Sequence, residues 1–344
     1  MHEVMKAICL ALGLLAATSG AMAAEPGTPL FADDQLLRIA IRGPIKQVAS
    51  SDTRSTVVSA TLVNGAESLP IRLSPRGITR LRKETCQFAP LRVDFTGTPP
   101  ATSLFAGQRR LKLVTHCRPS ESHQQYLLLE YAAYKLYNQL TPLSFRARLA
   151  QIDYVEDNGK PATSRYGFFI EDLSDVARRN GMGEARVGAR IPVSTLAPAD
   201  AARFAVFQYL IANLDWAMQA GPANDTCCHN SRLIVASGSS SMSSVPYDFD
   251  YAGLVDAPYA VPPEGINVSS VKVRRYRGFC RHNAEALAAA RQAYAMKPRL
   301  LATLAATPGL EARTVRKASA FLERGFDDIA TDQSVTAKLF KTCL

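Results

Sequence analysis

The stretch Val245-Pro246-Tyr247-Asp248-Phe249-Asp250 alternates apolar and acidic side chains, and its reading decides the second half of the chain. A period of two predicts a strand, with Val245, Tyr247 and Phe249 turned toward a core. Asp248 and Asp250 would then share the other face, roughly 7 Å apart. Two like charges side by side on a short strand cost energy unless a cation or base lies between them. A divalent ion with oxygen ligands suits such a pair. The plain alternative is a strand edge with solvated acids.

Working outward, Ser231 to Val235 reads as a second strand, and the Ser/Gly-rich Ser237 to Ser244 as the hairpin loop. Upstream, Phe204, Phe207, Ile211 and Leu214 recur at helical spacing, which predicts a helix from Pro198 to near Asp215. A carboxylate at a helix C-terminus is opposed by the dipole. Asp215 there is therefore costly for stability alone, and a general base accepting a hydroxyl proton is the functional reading. Simple chain exit into solvent is the alternative. Between the helix and the strands lies His229-Asn230. Asn230 offers a neutral oxygen to a metal, or a turn cap. Asp225, five positions before Asn230, has a spacing found in kinase catalytic loops and stays open as the base.

The first half alternates like strands at Leu37–Ile41, Thr56–Leu62, Leu69–Leu73, Leu91–Phe95 and Leu111–Val114. Asn64-Gly65 is a turn signal. These runs predict an antiparallel sheet. A helix is predicted from about Ser122 to Asn138, stopped by Pro142, then strands at Phe145–Tyr154 and Arg165–Ile170. Glu130 shares the apolar stripe of that helix and should point inward, where a carboxylate needs a partner. Lys112, on the preceding strand, is the natural candidate; the alternative leaves it facing solvent. Arg76-Gly77-Ile78-Thr79-Arg80, followed by Arg82-Lys83, is a basic turn. Its glycine permits close backbone approach, and its arginines suit phosphate oxygens. A basic hairpin is the bland reading. Residues 281–343 are Ala-rich helix broken at Pro298 and Pro308-Gly309. The expected organisation is a loose lead over 24–35, a β-rich lobe over 36–178 and an α-rich lobe over 190–344.

Hydrophobic residues make up 47% of the 344, which excludes an intrinsically disordered chain. Lys6, the short apolar run Ala7–Ala17 and Ala21-Met22-Ala23 predict a signal peptide over 1–23 and a periplasmic or secreted protein. No later run is long enough to span a membrane. Six cysteines then remain: Cys86, Cys117, Cys227, Cys228, Cys280 and Cys343. An even number in an oxidising space predicts disulfides. Cys86–Cys117 is favoured, with Cys227 or Cys228 joined to Cys280 and the other to Cys343. The net charge of +10 is scattered and not interleaved with aromatics, so it predicts a solvated basic surface rather than a nucleic-acid interface.

In their order, these parts resemble the atypical protein-kinase-like fold of CotH-type spore-coat kinases and their secretory and HipA-type relatives. The segments are Arg76-Gly77, Lys112, Glu130, Phe169-Ile170-Glu171-Asp172, Asn213-Leu214-Asp215, His229-Asn230 and Pro246-Tyr247-Asp248-Phe249-Asp250. The chain also resembles a group of exported bacterial proteins. The resemblance implies an α+β, two-lobed kinase-like fold, with a β-rich N-lobe carrying one helix and an α-rich C-lobe. It implies a nucleotide such as ATP held by Arg76, Gly77, Arg80, Lys112 and Glu171, and catalysis by Asp215, Lys112 and Glu130. Mg²⁺ or Mn²⁺ would sit on Asn230, Asp248 and Asp250. The chain departs from the family at one point: fifteen positions, with Cys227 and Cys228 among them, separate Asp215 from Asn230. The expected function is metal-dependent phosphoryl transfer to a protein or small-molecule hydroxyl. A periplasm poor in ATP keeps two alternatives: a catalytically inactive binding module for a protein or anionic ligand, and a cell-envelope structural protein whose acids bind Ca²⁺.

Overall fold

Alternating residues in the first half build seven strands: β1 (Leu37–Arg42), β2 (Val58–Asn64), β3 (Glu67–Pro75), β4 (Leu91–Phe95), β5 (Arg110–Val114), β6 (Ala147–Val155) and β7 (Pro161–Ile170). The computed structural model describes residues 24–222 and 225–344, so the expected signal peptide lies outside the described residues. The strands close into a barrel in the order β1-β2-β3-β4-β5-β7-β6. Neighbours run antiparallel except at the seam, where β6 pairs in parallel with β1, Leu37 opposite Ala150 and Arg42 opposite Val155. Closure leaves the barrel no open edge.

Pleating then divides the side chains between two cores. Leu62, Ile71, Leu91, Leu113, Ile152 and Phe169 fill the barrel. Val114, Leu149, Phe168 and Ile170 point out of it, under a helical layer. Because both faces of β6 and β7 are covered at this end, the sequence there reads as nearly continuous apolar residues.

The chain carries eight helices among the described residues: α1 (Ile45–Ala49), α2 (Glu121–Leu140), α3 (Leu173–Arg179), α4 (Pro198–Leu210), α5 (Asn283–Ala295), α6 (Lys297–Ala305), α7 (Ala312–Asp327) and α8 (Asp332–Lys338). Pro198 starts α4 at the first helical turn, where its missing N–H costs nothing. Phe204, Phe207, Leu210, Tyr134, Tyr137, Phe249 and Phe326 belong to one core that joins α4 to α2 and to the C-terminal helices. A second sheet, in the order β10-β9-β8, is built from β8 (Met182–Glu184), β9 (Ser231–Ala236) and β10 (Met242–Pro246). None of the helices is long and apolar enough to cross a membrane.

Three expectations are corrected. The two-lobed kinase-like fold with one N-lobe helix is not the fold observed: the expected antiparallel sheet is a closed seven-stranded barrel with one parallel seam, and the described residues form an α+β mix with eight helices. The reason is the return of β6 onto β1, a pairing between segments about a hundred residues apart. The helix expected to reach Asp215 stops at Leu210, and Ala212 takes a left-handed φ of 50°. Asp215 is therefore a loop residue that does not face the C-terminal end of a helix dipole as expected. Among the disulfides, Cys86 joins Cys117, but Cys227 joins its neighbour Cys228 and Cys280 joins Cys343. Backbone pairing decides the last: Cys280 N–H donates to Leu344 O, and Leu344 N–H to Gly278 O, both at 2.8 Å, so the tail lies alongside residues 278–280. Three disulfides fit an extracytoplasmic protein.

Candidate functional site

The β9–β10 hairpin brings two distant pairs of residues together at one end. Its ladder closes with Pro246 opposite Ser231. One step beyond, Tyr247 N–H donates to Asn230 O at 3.2 Å. His229-Asn230 and Tyr247-Asp248 are thus neighbours, although Asn230 and Tyr247 are 17 positions apart. Asn230 and Asp248 both have a left-handed φ, 48° and 64°. Asn and Asp tolerate that conformation better than most side chains. The strand predicted over Val245–Asp250 consequently ends at Pro246. Asp248 turns away and donates its N–H to Tyr134 Oη at 2.9 Å. Phe249 is fully buried, 4.7 Å from Tyr134 and 5.7 Å from Phe207 between ring centres. Asp248 and Asp250 meet through this turn rather than along one strand face.

Glu130, Asp248 and Asp250 present carboxylate oxygens that all lie within 4.8 Å of one another. Their partner is Arg80, not Lys112. Its Nη1 lies 2.9 Å from Glu130, its Nη2 2.9 Å from Asp248 and its Nε 3.2 Å from Asp250. The expected Lys112–Glu130 pair is therefore absent among the described residues, because the short turn Thr79–Leu81 carries Arg80 into the space above α2. Burial pushes the Asp250 carboxyl well above the usual range, and its acidic neighbours add to this despite Arg80. Burial likewise raises Glu130 against the pull of Arg80. Asp248 is held low: burial opposes its charge, but Arg80 and then Arg76 outweigh that. Tyr259 donates its hydroxyl to Asp250 at 3.1 Å.

Three carboxylates are the right chemistry for Mg²⁺ or Mn²⁺. With Arg80 seated, however, the fit fails. A doubly charged ion about 4 Å from a guanidinium is repelled by about 8 kcal/mol at an effective dielectric near 20. The expected ligand set Asn230, Asp248 and Asp250 also does not gather. Asn230 Nδ2 donates to Asp215 O at 2.7 Å and to Asp215 Oδ2 at 2.9 Å, while Glu130 completes the acidic group.

Lys112 faces a different neighbourhood. Leu111 and Leu113 point into the barrel, so Lys112 on β5 points out, its Nζ 5.1 Å from the centre of the Tyr247 ring. Arg232, on β9, stands 5.0 Å from the same ring. Burial lowers the Lys112 pKa to about 8, and the nearby Arg76 and Arg232 add to that. The Arg232 head group donates only to carbonyls, those of Cys228 and Ser231, at 3.3 and 3.5 Å. Three cations thus converge with no carboxylate bonded to any of them among the described residues. Asp172 and Asp248 lie close enough to Lys112 to offset part of this charge, and an anion between the cations would offset more.

At the same end of the hairpin is an acid–imidazole pair. Asp215 Oδ1 meets His229 Nε2 at 2.7 Å, and Asn230 holds the other carboxylate oxygen. The hydrogen bond to Asp215 raises the His229 pKa despite partial burial, with Asp248 adding to the effect. His229 Nδ1 has no partner among the described residues, and the side chain is 39% exposed. Of the two possible bases, Asp215 is the one beside His229 and Asn230. Asp225 is exposed and accepts from its neighbour's Thr226 N–H at 2.7 Å.

Two other candidates are accounted for elsewhere. Glu171 is completely buried and tied to Arg179 at 2.9 Å and to Arg146 N–H at 2.8 Å, so it is closed to a nucleotide. Gly77, with φ +99°, makes the turn that its position requires, and its carbonyl accepts from Arg54 at 2.7 Å. Sequence reasoning missed Arg232, Tyr247 and His229 as site residues. The available signal was His229 itself, the imidazole nearest to several candidate acids. No protein-family model matches the chain, and no curated protein matches it.

Proposed function

We propose that the protein is a periplasmic or secreted enzyme that binds a phosphate-bearing ligand and transfers its phosphoryl group to a hydroxyl of a protein or small molecule. The observation that carries this reading is the gathering of Arg76, Lys112 and Arg232, none bonded to a carboxylate among the described residues, at the same hairpin end as a carboxylate-held imidazole. The cations offset charge on the phosphoryl oxygens, the Arg guanidinium groups as forked donors and Lys112 as a point charge. His229 Nδ1 takes the hydroxyl proton, and Asp215 fixes the ring through Nε2 and stabilises the imidazolium that forms. Proton abstraction needs neutral His229, so turnover rises with pH through its raised pKa. The donor is ATP or another nucleotide. The reading rests on this site and not on the kinase-like fold, which is not the one observed.

A second reading, binding of the same ligand without transfer, is favoured by Arg80, which fills the acidic group where a metal-assisted enzyme would hold its ion. Transfer of labelled phosphate from ATP to an acceptor panel separates the two. Transfer that falls at least about a hundredfold in His229→Gln with ligand affinity kept supports the enzyme. Transfer undiminished in His229→Gln refutes the assigned base, and ligand binding with no transfer to any acceptor leaves the binding reading.

A further inference from the structure

Glu130, Asp248 and Asp250 come from a helix core position and a tight turn, yet one planar group collects all three. Arg80 bonds them through Nη1, Nη2 and Nε, so three of its donor directions are used within the cluster. The acids are also held from behind without any ion. Asp248 N–H is bound to Tyr134 Oη and Asp250 to Tyr259 Oη. The turn that delivers Arg80 is fixed on both sides. Tyr251 Oη lies 3.1 Å from Thr79 Oγ1. Arg54 donates to Gly77 O. Cys86 N–H donates to Arg82 O at 2.9 Å, and the bridge to Cys117 closes the loop. Nothing in this arrangement leaves Arg80 as a loose surface charge; its side chain is 9% exposed.

We propose that Arg80 is the resident cation of the Glu130–Asp248–Asp250 cluster, standing where a divalent metal would otherwise bind, so that the protein takes up no metal ion there. Three hard oxygens within 4.8 Å are ligands a divalent cation could use, and the guanidinium is bonded to all three carboxylates. This inference stands whether or not the neighbouring cleft transfers phosphate, because it concerns occupancy and not turnover.

The test is Mn²⁺ binding to the full chain, read by the loss of the free-ion EPR signal and by the melting temperature, in wild type, Arg80→Ala, Asp250→Asn and the double variant. Wild type is expected to hold no stoichiometric Mn²⁺ up to about 1 mM, with a melting temperature unmoved by chelator. Arg80→Ala is expected to bind about one Mn²⁺ at least about tenfold tighter than wild type, and to lose that gain when Asp250→Asn is added. Where Arg80→Ala does not fold in chelator, recovery of its fold on adding Mn²⁺ supports the proposal and failure to recover overturns it. Wild-type binding of one Mn²⁺ that disappears in Asp250→Asn overturns it as well.

Discussion

Replacing Lys112 by Met should make the protein more stable and less able to bind its ligand. The substitution keeps most of the stem and removes the charge. Burial, with Arg76 and Arg232 adding to it, lowers the Lys112 pKa from 10.5 to about 8, which corresponds to about 3 kcal/mol against the charged form in the fold. The folded pKa lies below the unfolded one, so this charge opposes folding fully below pH 8, and the opposition fades as the pH approaches 10.5. Loss of the contact with the Tyr247 ring returns about 0.5–1 kcal/mol. The net gain at pH 7 is about 2 kcal/mol, or about 3 °C in melting temperature for a chain of this size. Calorimetry at pH 7 and pH 10 reads it, and the difference between the proteins should shrink to under about 1 kcal/mol at the higher pH. Titration with sulfate, whose own charge is constant over this range, reads the second half. Wild-type affinity should fall above pH 8 as Lys112 loses its proton, while Lys112→Met binds at least about tenfold more weakly throughout. A Met variant that is less stable at pH 7, or that binds sulfate as well as wild type, refutes the reading of Arg76, Lys112 and Arg232 as cations awaiting an anion.

Glu130→Leu leaves Arg80 buried with two partners instead of three and should cost about 3 kcal/mol, seen as a lower urea midpoint; no change would mean that the cluster is solvated. The Asp215 hydrogen bond raises the folded-state pKa of His229, so its stabilisation is fully present below the unfolded value near 6.5 and is lost as pH rises through the folded value. The stability difference between wild type and His229→Gln should therefore be larger at pH 5.5 than at pH 8.5, and equal differences would remove the dyad. Replacing Cys280 and Cys343 together by Ser opens a link between residues 63 apart and should lower stability by about 4 kcal/mol, measured by denaturant unfolding.

Local pattern carried much of this structure. Period-two stretches such as Leu69–Leu73 and Leu111–Val114 lie within the observed strands β3 and β5, and the apolar stripe through Leu127, Tyr131 and Tyr134 lies on α2. Glu130 was expected to face inward from that stripe, and it is buried. Where the reading failed, the deciding interaction was remote or conformational. Barrel closure depends on β6 meeting β1, and alternation marks a strand without marking its partner. Arg80 and Lys112 are both cations on the same half of the chain. Which of them reaches Glu130 depends on the path of the turn after β3, not on composition.

Hydropathy period, turn residues and cysteine number, all properties of neighbours in the chain, were enough to place most of the barrel strands and the long helix α2 and to show that the cysteines pair, but not the short elements α1, α3 and β8 or the ends of α4 and β10. The partnership of Asp215 with His229, the gathering of Arg76, Lys112 and Arg232, and the seating of Arg80 among three acids came only with tertiary structure. These contacts join residues from about fourteen to more than a hundred and sixty positions apart. Their geometry follows from left-handed turns at Asn230 and Asp248 and from strand register, and each is settled by packing across the whole molecule.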